Sequence, residues 1–208
     1  MEVLPERPGM VTLLSMNAFE ALPNTFTTGQ ANKAGLHFRR LYRLRDEGDL
    51  LELSRGVFRK AEAPAPTWPD LLAVSMRVPS AVVCCVSAAE VHDLTDEIPR
   101  EVQIAVPRGN RPPRIGYPPT EVFRFSTFEL GITEVEAAPG EDVRIYGPER
   151  TVVDLMRLRG RLGEPLALSA LRRYLSRRGA RPGEVLALAG KLGVLGAVRA
   201  AVDAVIAE

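Results

Sequence analysis

Three features of this sequence predict a mixed α/β (α+β) fold in two parts. Within residues 1–60, three stretches with helical spacing run into a hairpin that pivots on Ser54-Arg55-Gly56. A proline-rich stretch, Ala61 to Asp70, then interrupts regular structure. Beyond it short apolar strands alternate with helices, and from Pro148 onward the pattern is helical.

Each element follows from its spacing. "TLLSMNAFEAL", Thr12 to Leu22, repeats apolar residues at helical intervals and stops at Pro23-Asn24. "TFTTGQANKAG" predicts a second short helix, with Thr27 or Thr28 as N-cap and Gly35 as its end. A third runs from Leu36 to Glu47, with Leu41 and Leu44 inward and Gly48 as terminator. "LLELSRGVFRK" then reads as two strands. Three helices and a hairpin describe a winged helix-turn-helix, in which the helix after the tight turn enters the DNA major groove. With Leu41 facing the core, steps of about 100° per residue point Arg39, Arg43 and Asp46 outward, flanked by Arg40 and Tyr42. Arginine suits such a surface because its planar fork binds two acceptors at once. Arg55, Arg59 and Lys60 are expected to add charge on the wing. The expected division is a winged-helix domain over 1–60, a linker over 61–70 and an α/β domain over 71–208.

In the second part, Leu71 to Arg77 predicts a helix, and "AVVCCVSAAEVHDL" a buried strand leading into another. "EVQIAVPRG", "EVFRFSTF" and "EDVRIYGP" read as strands, and "NRPPRIGYPP" as loop, since clustered prolines forbid regular structure. Three helical stretches follow: "PERTVVDLMRLRG", "SALRRYLSRRG", and a last helix opened by Pro182.

The formal charge of +1 conceals segregation. Residues 61–154 carry eight Lys/Arg against fifteen Asp/Glu, whereas residues 155–199 carry ten against two. Arg172, Arg173, Arg177 and Arg178 dominate the basic block, a candidate contact for a partner protein or the DNA backbone. The adjacent Cys84 and Cys85 sit in an apolar run and read as buried thiols, which predicts a reduced, cytoplasmic protein. "MEVLPERPGM" has no signal-peptide core, and no apolar run reaches a membrane span, so no membrane partner is expected.

Candidate chemistry is sparse. With His37 and His92 the only histidines, a histidine metal cluster is impossible, and no metal site or catalytic residue is assigned. His92-Asp93 reads as a helix end rather than a catalytic pair. In "GPERTVVDL", Glu149 suits the positive helix terminus and Arg150 is one turn before Asp154, the spacing of an ion pair. The Gly-rich loop, H-R-D and D-F-G segments of ordinary kinases are missing, and "GKLGVLG" lacks the following Lys-Ser/Thr of a phosphate cradle.

The winged-helix stretch with "GDLLELSRGVFRK", followed by "VSAAEVHDLTDEIPREVQIAVPRG" and "VRIYGPERTVVDL", resembles the AbiEi-type antitoxins from about residue 12 onward. The resemblance implies a bacterial antitoxin of a type IV system, partnered by an AbiEii-like nucleotidyltransferase toxin. It implies repression of its own operon at operator DNA with inverted repeats, and neutralisation through the C-terminal domain. It places Arg150 and Asp154 in a family motif. For related actinobacterial pairs it implies an alternative, an atypical serine kinase that modifies the toxin, which alone would require ATP and Mg; otherwise no cofactor is expected. A ligand-sensing transcriptional regulator is the remaining alternative.

Overall fold

The computed structural model describes residues 18–207. The predicted helix from Thr12 lies largely outside them; Ala18, Phe19 and Glu20 are helical. The next elements are β1 (Thr25–Thr27), α1 (Thr28–Lys33), α2 (Phe38–Glu47), β2 (Leu50–Ser54) and β3 (Val57–Lys60). They form a winged helix whose antiparallel sheet has the order β1-β3-β2. Thr27 caps α1 through a capping box: its hydroxyl accepts from Gln30 N, and the Gln30 side chain accepts from Thr27 N. Helix α2 ends at Gly48, whose φ of 89° is left-handed and favours glycine. Leu36, Leu41 and Leu44 pack with Phe26, Leu50 and Phe58. Strand β1 is too short to show a period in the sequence; it forms because β3 offers it a partner.

The second sheet has the order β6-β5-β4-β8-β7. Its strands are β4 (Val82–Val83), β5 (Val102–Pro107), β6 (Thr120–Phe125), β7 (Ile132–Ala138) and β8 (Glu141–Tyr146). The two-residue β4 is its centre, antiparallel to β5 and parallel to β8. Strand β5 is buried on both faces, so its alternation shows only in which core each residue joins. Ile104 packs with Val83 and Ile145 on one side, and Ala105 with Val82, Phe123 and Tyr146 on the other. Strand β7 escapes the sequence reading because Glu134 and Glu136 interrupt its apolar pattern; it is an edge strand with those glutamates in solvent.

Helix α3 (Pro69–Arg77) packs on one face of this sheet and α4 (Cys85–Val91) follows β4 directly. The chain closes with α5 (Pro148–Arg157), α6 (Arg159–Leu162), α7 (Glu164–Leu175), α8 (Pro182–Lys191) and α9 (Leu195–Ile206). The single last helix expected from Pro182 is divided, because Gly193 turns the chain with φ 73°. A helical core joins α4, α5, α7, α8 and α9 through Ala89, Val152, Leu155, Leu171, Val185 and Val202. Both cysteines are buried and free, and burial pushes the Cys84 thiol well up. No described helix is long and apolar enough to cross a membrane.

Residues 61–68 contain neither helix nor strand, yet they are pinned. Trp68 N donates to Ala137 O, and the Trp68 ring joins the sheet's apolar packing. The winged helix is therefore seated on the α/β domain.

Candidate nucleic-acid interface and the arginine networks

Helix α2 is held by two buried leucines, Leu41 and Leu44, on one side, which leaves the other side to solvent. Arg39 and Arg43 are exposed one turn apart, and neither side chain has a hydrogen-bond or ion-pair partner among the described residues. Phe38, at the helix start, is also exposed. The flanking positions are engaged. Arg40 pairs with Glu47 at 3.3 Å. Tyr42 meets Phe58 edge-on, with ring centroids 5.7 Å apart, and lies under Arg45. Arg45 is tied to Glu52 and Asp46, which raise its pKa. The face open to a ligand is thus narrower than the arginine run predicts, and centres on Arg39 and Arg43.

At the wing tip Arg55 is exposed and its guanidinium is unpartnered among the described residues. Arg59 and Lys60 correct the sequence expectation, for both are buried, at 1% and 8% exposure. Strand β3 is the middle strand of its sheet, and all four of its residues are buried, so the two faces on which Arg59 and Lys60 lie are both covered. Lys60 Nζ donates to Leu22 O at 2.7 Å and to Glu20 O at 3.1 Å. Arg59 points to the opposite face. It donates to Thr25 Oγ1 at 2.6 Å, to Glu141 on β8 and to Pro64 O. Glu141 also accepts from Thr25 N at 2.9 Å. Arg59 is therefore the bolt of the seam between the two parts.

The Arg150–Asp154 pair forms as its spacing predicts. Arg150 Nε donates to Asp154 Oδ2 at 2.8 Å, with both side chains fully buried. Nη1 of Arg150 donates to Leu130 O at 2.6 Å and Thr127 O at 3.0 Å. Its guanidinium lies 4.3 Å from the Tyr146 ring centroid. Arg157 Nη2 is 3.0 Å from the other Asp154 oxygen. Burial pushes the Asp154 carboxyl up, against the pull of the two guanidiniums. Gly131 is required here, because a Cβ would lie 2.8 Å from Arg150 Cβ, and its φ is 78°. The arrangement locks the β6–β7 connection to α5, and sequence spacing could find Asp154 but not Thr127, Leu130 or Gly131.

The basic helix α7 is partly consumed within the chain. Arg173 grips Asp96 at 2.8 Å, and Arg177 donates to the His92 and Asp93 carbonyls. Both are engaged within the chain because the acidic middle segment folds against the basic end. Arg172 also has an intramolecular partner, while Arg178 is exposed and unpartnered among the described residues. His92 is the C-cap of α4, with Nε2 2.7 Å from Tyr146 O. A further network that spacing could not show joins Glu149 to the Tyr174 hydroxyl at 2.8 Å and to Arg181 at 2.7 Å. Among the described residues no group of three or more His, Cys, Asp or Glu side chains could hold a metal ion.

A winged helix with an open arginine face, seated on a mixed α/β domain that ends in helices, defines a DNA-binding regulator with a second, α/β domain. Residues 16–59 match the family model described as "Transcriptional regulator, AbiEi antitoxin", and residues 81–202 match "AbiEi antitoxin C-terminal domain". The chain belongs to the AbiEi antitoxin family. A solved structure with a similar fold, the RV2827C protein from Mycobacterium tuberculosis, has a TM-score of 0.51 at 15% identity, covering 94% of this chain and 81% of that one. No curated protein matches the chain. As an antitoxin with an N-terminal transcriptional regulator domain, it has DNA and a toxin as its general partners.

Proposed function

We propose that the protein represses its own operon by placing α2 in the major groove of operator DNA with inverted repeats, and that its α/β domain neutralises a nucleotidyltransferase-like toxin. The observation that carries the DNA half is the pair Arg39 and Arg43, one turn apart, exposed and unengaged on a helix whose other face is core. Membership of the antitoxin family supports the toxin half. Each lost arginine–base contact costs on the order of 1–3 kcal/mol. The full chain carrying Arg39→Ala and Arg43→Ala should therefore lose discrimination between the DNA upstream of its own gene and a mixed-sequence duplex. The same variant should still protect cells that express the neighbouring toxin gene. Gel shifts unchanged by the double substitution would remove α2 from the groove. A parent protein that leaves a co-expressed nucleotidyltransferase toxin fully active would remove the second half.

A further inference from the structure

The stretch between Glu101 and Glu121 has no acidic residue but holds Arg108, Arg111 and Arg114. All three are exposed, and none of their guanidinium groups has a hydrogen-bond or ion-pair partner among the described residues. They lie in the connection from β5 to β6, which belongs to the α/β domain and lies outside the winged helix. Its position is what matters. Ser54, the last residue of β2, donates through Oγ to Tyr117 O, so the end of this loop is fastened to the wing. The guanidinium of Arg77 on α3 donates to the carbonyl of Arg55 at the wing tip. Thr28 N, at the start of α1, donates to Gly56 O at 2.9 Å. Wing tip, α1 start and proline loop therefore meet, and in a winged helix-turn-helix the helix before the recognition helix crosses the phosphate backbone.

The loop is also built to hold its shape. Pro112, Pro113, Pro118 and Pro119 fix backbone φ. Ile115 packs into the core beneath the sheet, and Pro118 is buried. Arg108 N is held by Phe125 O at 2.9 Å, and Asn110 N by Pro107 O at 2.9 Å. Tyr117 is 60% exposed beside the wing. A stiff, anchored loop loses little conformational entropy when its side chains meet a ligand. The nearest acid on the wing, Glu52, is already held by Arg45 at 2.9 Å and by Gly56 N, so it does not oppose an anion.

We infer that this loop of the α/β domain is a second DNA-contacting element, which grips the phosphate backbone beside the wing through Arg108, Arg111 and Arg114. The inference rests on the DNA-binding reading proposed above. Side chains of this kind position a protein on the duplex without reading sequence. The α/β domain then has a direct part in repression, and a toxin seated over the loop would compete with DNA.

The test uses the full chain with two duplexes of equal length, one from upstream of its own gene and one of mixed sequence, across a salt series. Arg108→Gln, Arg111→Gln and Arg114→Gln together should lower the slope of log K against log salt by about 0.9 for each phosphate released, roughly 2.7 for three. Preference for the cognate duplex should be kept. An unchanged slope, alongside lost discrimination in the Arg39→Ala, Arg43→Ala chain, overturns the loop assignment and leaves the groove reading standing. Binding unchanged by both sets of substitutions overturns both. Hydroxyl-radical footprinting of the parent needs no variant to fold: backbone protection should extend past the α2 contact on the wing side. A footprint confined to the α2 contact overturns the inference.

Discussion

Helix α2 and helix α5 both place an arginine one turn from a second charged residue, and the two do opposite work. On α2 the second residue is another arginine, so Arg39 and Arg43 repel each other and stay in water. On α5 it is Asp154, so Arg150 can leave water with its counter-ion and its carbonyl acceptors in place. The lesson is that arginine identity says little; the sign of the i+4 neighbour, and what the tertiary fold brings over it, decide between a binding surface and a structural bolt. Arg55 and Arg59 repeat the contrast on the wing, one at the tip and one beneath Glu141.

The comparison breaks most visibly at α5. Asp154→Ala strands two guanidiniums, one fully buried, and should cost about 3–5 kcal/mol in urea unfolding. Adding Arg150→Met should recover part of that loss and no more, because the Thr127 and Leu130 carbonyls lose their donor. A single Asp154→Ala change that leaves stability untouched would mean the pair is not a bolt.

At the seam, Glu141→Ala removes one partner of buried Arg59 but leaves Thr25 and Pro64. The expected loss is about 1–3 kcal/mol. Proteolysis within residues 61–68 should accelerate, because the winged helix would then separate more often from the α/β domain. Equal cleavage rates in parent and variant would show that the seam does not depend on this pair.

His92 sharpens the picture through pH. Burial lowers its pKa below the usual 6.5, the Tyr146 carbonyl opposes this, and Arg177 adds to it. The folded state thus holds a neutral ring that the unfolded chain protonates more readily. Its contribution is complete above about 6.5 and is lost as pH falls from there toward the folded-state pKa. His92→Gln keeps a donor for the carbonyl and should remove this part of the acid slope in denaturation curves. Identical slopes in parent and variant would show that His92 titrates alike folded and unfolded.

The smallest effect on stability belongs to the face assigned to DNA. Arg39→Ala with Arg43→Ala should change unfolding free energy by no more than about 0.5 kcal/mol, since surface positions without partners contribute little. A larger loss, read in the same urea curves, would place these arginines in the fold rather than at a ligand.

Much of α1 and α2 was legible in the chain itself. Leu41 and Leu44 at helical spacing, Gly48 at a left-handed end and Thr27 before a glutamine three positions on are all signals within one or two turns. Arg150 with Asp154 is legible for the same reason. The loop arginines were visible only as loop, because what makes them notable is Ser54, which lies 63 positions from Tyr117. Strand β7 was hidden by its glutamates, and the break at Gly193 by the apolar residues around it.

By itself, then, the sequence determined the local conformations: which residues start and stop helices, where the hairpin turns, and which face of each element is apolar. It did so because capping, turn chemistry and periodicity act between residues a few positions apart. Only the tertiary structure decided which arginines meet water. Arg59 is 82 positions from Glu141, Arg173 is 77 from Asp96 and Arg177 is 84 from the Asp93 carbonyl. A charged side chain is buried when the fold brings it a counter-charge and acceptors at hydrogen-bond distance, and pairings across such separations leave no periodic trace in the chain.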